Sequence, residues 1–214
     1  ITIERLEEER VYLKVFAGQG HALHQYNYAQ FCLRGLGGNQ DLVKARYYFK
    51  GSAEQGHALS QHKYATMCVK GLGGNENLFE TREYSKKAAD QGHILSRYNY
   101  ATMCIKGLGG DENLPEARKY YKKAAVKKHT ESQYKYALMC RKGLGEDEDP
   151  VEAKKYFKKA ADQGHAESQY NYASMCFVGV EGERSFPDFQ KYLKKAAKQG
   201  HTQSLKLLVS RRFI

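Results

Sequence analysis

The stretch ESQYKYALMCRKGLG, residues 131–145, packs an acid, three basic side chains, two tyrosines and a cysteine into one short run. Taken alone, it has the residue types of a reactive site. Set against LSRYNYATMCIKGLG at residues 95–109, it becomes one copy of a repeat. The register holds along the chain. Cys32, Cys68, Cys104, Cys140 and Cys176 stand 36 residues apart and are all five of its cysteines. Met67, Met103, Met139 and Met175 keep the same step, with Phe31 in the first copy. So do Ala29, Ala65, Ala101, Ala137 and Ala173, and His21, His57, His93, His129, His165 and His201. A fixed step without insertions makes each copy one structural unit that stacks on the next.

Each copy reads as two helices. Tyr28, Ala29 and Cys32 fall at i, i+1 and i+4, on one helical face. Gly35, Gly71, Gly107, Gly143 and Gly179 mark the end of the first helix, as left-handed caps do. After a loop come Asp41, Asn77, Asn113, Asp149 and Ser185, all preferred N-cap types. Glu80, Glu116, Glu152 and Asp188 follow three positions later and predict capping boxes. Pro150 sits where a missing N–H costs little. The second helix carries ARKYYKKAA and its variants. These signals predict an all-α chain of helix pairs at about 21–54, 57–90, 93–126, 129–162 and 165–198. The corresponding repeats are 21–56, 57–92, 93–128, 129–164 and 165–200. Residues 1–20 read as an N-terminal capping helix or junction, and 201–214 as a C-terminal capping helix.

Composition narrows the function classes. The 214 residues carry a formal net charge of +11 with 17 tyrosines and no tryptophan, so acidic partners fit. No run of about 18 apolar residues exists to span a membrane. No apolar leader with a cleavage site opens the chain.

The unit AESQYNYASMCFVG…KKYFKKAADQGH resembles the Sel-one-like repeat, a relative of the tetratricopeptide repeat. The matching residues include Tyr100-Ala101, Gly107-Leu108-Gly109, Ala117, Tyr120-Tyr121 and Lys123-Ala124-Ala125, and the likeness covers nearly the whole chain. It implies a right-handed α-solenoid whose first helices line a concave surface, and an adaptor or scaffold role without catalysis or cofactor. A secreted branch of that family bridges its two helices with paired cysteines. This chain has one cysteine per copy.

The reactive residues read as structure. Equivalent positions on neighbouring helices lie roughly 8–10 Å apart. A disulfide needs Cα atoms within about 7 Å, and zinc needs every thiolate at about 2.3 Å. One cysteine or histidine per rung meets neither demand, so buried packing is expected for the cysteines and backbone hydrogen bonding for the histidines, with no metal site. Cysteines that form no disulfide point to the cytoplasm or another reducing compartment. GLGGNEN superficially resembles a phosphate loop, but it joins two helices and lacks the Gly-Lys-Ser/Thr ending. Lys86-Lys87, Lys122-Lys123, Lys158-Lys159 and Lys194-Lys195 read as a solvated outer face of the second helices. No catalytic Ser-His-Asp set or carboxylate pair stands out.

If tyrosine, alanine and cysteine face the second helix, another face of the first helix is left for a partner. Its leading position reads Tyr26, His62, Tyr98, Tyr134 and Tyr170. Its last reads Arg34, Lys70, Lys106, Lys142 and Val178. Between them lie Thr102 and Ile105 in the third copy, and Leu138 and Arg141 in the fourth. A further position alternates through Asn27, Lys63, Asn99, Lys135 and Asn171, and the resemblance implies that asparagine there holds a ligand's backbone. Tyrosines offer rigid contact area, and lysine and arginine select carboxylates. The expected activity is a protein–protein interaction scaffold that holds a partner, an extended acidic peptide, in this groove. The competing view of the tyrosines is that they pack against the next repeat and leave the groove shallow. Two alternative functions are a nucleic-acid-binding basic solenoid and the repeat arm of a larger multidomain signalling protein.

Overall fold

The computed structural model describes residues 2–180 and 183–210, so the last four residues of the C-terminal stretch lie outside the described ones. Among the described residues are twelve helices. They are α1 (Ile3–Gly18), α2 (Ala22–Arg34), α3 (Leu42–Glu54), α4 (Ala58–Val69), α5 (Leu78–Asp90) and α6 (Ile94–Lys106), then α7 (Leu114–Val126), α8 (Thr130–Lys142), α9 (Pro150–Asp162), α10 (Ala166–Val178), α11 (Phe186–Lys198) and α12 (Thr202–Ser210). Among the described residues no strand accompanies them, only an isolated bridge between Val180 and Glu183. The chain divides into two compact units, Ile1–Glu112 and Asn113–Ile214. Within each unit consecutive helices pack on one another. The fold is the expected all-α solenoid class, built from 36-residue helix pairs.

The core is the periodic set. Tyr28, Ala29 and Cys32 are buried, as are their equivalents in the other copies. Inside a copy the two helices meet through edge-on tyrosines, as in Tyr28–Tyr48, Tyr64–Tyr84 and Tyr136–Tyr156, each with ring centroids 4.9 Å apart. That geometry sets the positive ring edge against the negative ring face. All five cysteines are buried, and none forms a disulfide. Burial pushes the thiols of Cys32, Cys68, Cys140 and Cys176 up, away from the nucleophilic thiolate.

The helix ends follow local chemistry, with two departures. Asp41, Asn77, Asn113, Asp149 and Ser185 each accept a hydrogen bond from the backbone N–H three residues on. The reciprocal half of the capping box is replaced at Asn77. Its own N–H donates to the Cys68 carbonyl at 3.1 Å. The Glu80 carboxylate turns inward instead, accepting from the Tyr64 hydroxyl at 2.6 Å and from Lys50 at 2.9 Å. Burial raises the Glu80 pKa, but these two donors outweigh it and hold the group below the usual carboxylate range. The second departure is at the ends of α4 and α10. Gly35, Gly107 and Gly143 are left-handed caps, whereas α4 ends one residue before the expected Gly71, with Lys70 as its right-handed C-cap, and Gly179 pairs φ +89° with an extended ψ of 136°.

The histidines are N-caps of the first helices. The Nδ1 atoms of His93, His129, His165 and His201 accept the N–H of Ser96, Ser132, Ser168 and Ser204 at 3.1–3.3 Å. Each ring caps one of the orphan donors every helix start presents. His57 pairs its Nδ1 with the Ser60 hydroxyl at 2.8 Å without capping the backbone, and His21, with His24 in place of serine, makes no such cap either.

The Gly-Leu-Gly-Gly turns bind one copy to the preceding one. A Cβ on Gly37, Gly73 or Gly109 would lie 2.1–2.2 Å from the carbonyl oxygen of Leu6, Leu42 or Leu78. Backbone therefore rests directly on backbone. An arginine from the preceding copy clamps the same loop. Arg10 donates to Asn39 O at 2.9 Å, Arg46 to Asn75 O at 2.8 Å, Arg82 to Asp111 O at 2.8 Å and Arg118 to Glu146 O at 3.0 Å.

Candidate functional site

The candidate face is built on the exposed side of the first helix in each copy. In the Ile1–Glu112 unit it runs over α2, α4 and α6. Arg34, Lys70 and Lys106 stand exposed at the ends of these helices, and Asn99 is exposed one turn or more before Lys106. None of the three basic residues enters an ion pair among the described residues. Asn27, Lys63, Tyr98, Thr102 and Ile105 are half-buried. Lys70, Tyr98, Asn99 and Thr102 come together around one cavity of about 300 Å³ between α4, α5 and α6.

In the Asn113–Ile214 unit the face runs over α8 and α10. Lys142 is exposed, and Lys135 and Leu138 are half-buried. Lys135 lies over the Tyr134 ring and pairs with Glu131 at 3.6 Å. Arg141 donates to Asn171 Oδ1 at 2.5 Å and covers the Phe157 ring. The Asn171 amide nitrogen donates to Glu167 O at 2.7 Å. Asn171 is buried, with both ends of its amide engaged inside the unit.

The leading aromatics face along the stack. Tyr26 meets His57 at 4.9 Å, Tyr134 meets His165 at 4.7 Å and Tyr170 meets His201 at 4.8 Å. His62 takes the same place against His93 at 4.3 Å. These rings are half-buried and pack between copies. The basic ends of the helices are more accessible than the aromatic ladder. His62 is desolvated, and with His93 and Lys63 nearby its pKa is pushed down to about 4, so the ring is neutral at physiological pH.

The lysines of the second helices are partly occupied by their own aromatics. Lys87, Lys123, Lys159 and Lys195 lie 4.4–5.1 Å from the ring centroids of Tyr84, Tyr120, Tyr156 and Tyr192. Among the described residues no cluster of His, Cys, Asp and Glu is arranged to hold a metal ion. No helix among them is long and apolar enough to cross a membrane.

Sequence reasoning missed two features. One is the arginine clamp, although Arg10, Arg46, Arg82 and Arg118 keep the 36-residue step and could have been read from it. The other is Ser85, which lines the cavity where the other copies place Phe49, Tyr121, Phe157 and Leu193.

Comparison with known proteins places this geometry. The family model described as the Sel1 repeat matches residues 25–57, 58–93, 94–127, 130–165 and 166–201. A crystal structure from uropathogenic Escherichia coli, a protective antigen displaying an SLR fold, is 25% identical with a TM-score of 0.88. The match covers 97% of this chain and 45% of that one, so this chain spans less than half the length of the antigen. A Sel1 repeat protein from Oxalobacter formigenes is 25% identical with a TM-score of 0.76, over 96% of this chain and 82% of that one. No curated protein sequence matches the chain.

Proposed function

The chain belongs to the Sel1 repeat family, and we propose that it is a non-catalytic scaffold whose first-helix face holds an extended acidic segment of a partner protein. Members of the family generally act as protein-interaction scaffolds. One observation carries the finer reading. Arg34, Lys70 and Lys106 form a basic rail on the helix ends of one unit, and two of the groove positions beside it, Tyr98 and Asn99, open onto the same cavity as Lys70. Exposed cations beside an apolar recess select a carboxylate-bearing chain with side chains to bury. Buried cysteines outside any disulfide fit work in a reducing compartment.

The test is fluorescence anisotropy with a labelled Asp/Glu-rich decapeptide. Lys70→Glu/Lys106→Glu reverses charge at two solvent-exposed positions and leaves the core intact. The reading expects the double variant to lose at least about tenfold in affinity, since rail charges govern steering and register. Unchanged affinity sinks it. The net charge of +11 favours a second reading, nucleic-acid binding. That reading requires RNA or DNA to bind at low salt with an affinity that falls steeply as salt rises. It is weakened by the lysines already stacked on tyrosines of their own helices.

A further inference from the structure

One rung of the solenoid replaces both members of its Tyr–Phe-type pair. In the first copy Tyr26 meets Phe49 with ring centroids 5.8 Å apart, and in the fourth Tyr134 meets Phe157 at 6.1 Å. Phe49, Tyr121, Phe157 and Leu193 are all fully buried on the second helices of their copies. The second copy replaces both members of the pair, placing His62 and Ser85 at these positions. The lost bulk is not refilled by neighbours. A cavity of about 300 Å³ remains, with Thr81 and Ser85 on α5, Ala65 and Val69 on α4 and Met103 on α6 among its walls.

Three of the hydroxyls in the walls are already engaged. The hydroxyls of Thr66, Thr81 and Thr102, which also line the cavity, donate to the carbonyls of His62, Asn77 and Tyr98 at 2.7–2.9 Å. The exposed Lys70 supplies a cation to the same lining. The volume sits at the lower end of the roughly 300–1,000 Å³ range of ligand sites. That suits one side chain better than a cofactor.

We propose that this cavity receives an aromatic side chain of the bound partner segment, and that Lys70 pairs with a carboxylate next to that aromatic in the partner. An aromatic ring supplies the bulk that Ser85 removes. Lys70 favours an acidic neighbour by charge complementarity. The inference rests on the groove reading and adds to it the residue that anchors the segment.

The test uses two labelled peptides, Asp-Glu-Asp-Phe-Asp-Glu and the same peptide with alanine for phenylalanine. The full chain is expected to bind the phenylalanine peptide at least about tenfold more tightly, as a buried aromatic anchor does. Ser85→Phe, which restores the residue of the first copy, is expected to abolish that preference while raising Tm. Ser85→Leu, which introduces the residue of the fifth copy, serves if the larger side chain does not fit. Lys70→Glu is expected to weaken both peptides. Equal binding of the two peptides to the native chain, or a preference that survives in Ser85→Phe and Ser85→Leu, overturns the proposal. If neither peptide binds, the groove reading has failed, and 3-phenylpropanoate decides the cavity separately. It is expected to shift the amide resonances of Val69, Ser85 and Thr102 in the native chain and not in Ser85→Phe. No shift in the native chain overturns the cavity assignment as well.

Discussion

Lys128 is the described residue whose backbone conformation fits its side chain least. It holds φ +64°, the left-handed region, where the equivalent residues are Gly20, Gly56, Gly92, Gly164 and Gly200. A residue with a Cβ loses about 1–2 kcal/mol there, and glycine returns part of that gain as unfolded-chain entropy. Lys128→Gly is therefore expected to stabilise the chain by about 1 kcal/mol, read as a raised urea midpoint with an unchanged slope. The histidines make a second claim at this scale. Burial lowers the pKa of His57, His93 and His129, and lowers that of His62 to about 4. Well above pH 6.5 these rings are neutral in both states and contribute no pH dependence. As pH falls through about 6.5 the unfolded chain takes up protons that the folded chain refuses, so stability falls towards pH 4. Tm is expected to drop between pH 7 and pH 5, above the range in which the acidic side chains titrate. His62→Tyr, the residue of the other four copies, should flatten that drop. A Tm that does not change across this window would show that the rings are solvated in the native state.

The turn between helices is the element on which stacking depends. Two glycines separate conformational strain from contact. Gly56 has φ +89° and open space where a Cβ would go, so Gly56→Ala carries the left-handed penalty alone, about 1–2 kcal/mol. Gly73 has φ +71°, and its Cβ would lie 2.1 Å from Leu42 O. Gly73→Ala adds a backbone collision with the preceding copy, about 1–3 kcal/mol more. Chemical denaturation should rank the two variants in that order. Equal losses would mean that the copies separate at little cost. The arginine clamp belongs to the same element. Arg118 is 4% exposed and donates to the carbonyls of Leu144, Glu146 and Asp147. Arg118→Met should cost about 3 kcal/mol by leaving those acceptors without their charged partner. Arg118→Lys should rescue it only in part, because one ammonium cannot meet both the loop carbonyls and the Glu146 carboxylate, which Nη1 and Nε of the guanidinium reach separately.

Over the entire chain, the charge of +11 predicts how binding responds to salt. If the rail of Arg34, Lys70 and Lys106 captures an acidic segment, its field is screened over about 10 Å at 0.1 M salt and about 3 Å at 1 M. Affinity for the acidic decapeptide should fall across that range, mostly through the association rate. For the phenylalanine-bearing peptide, the affinity that survives 1 M salt beyond that of its alanine counterpart is the part expected from apolar burial in the Ser85 cavity. Residue spacing was enough to read the 36-residue period, the helix boundaries, the N-cap residues and the buried Tyr-Ala-Cys rung. These follow from local backbone chemistry and from which helical face a residue occupies, and neither needs a distant partner. The Ser85 substitution was present in the same pattern, as a break in the period. What the outward residues meet was settled only by packing. Tyr26, Tyr134 and Tyr170 turn to the next copy's histidine, Asn171 turns to Arg141, and the space vacated at Ser85 stays open. Periodicity fixes a residue's face, but the rotamer it adopts and the void it leaves depend on side chains distant in the chain, on helices brought against it by packing.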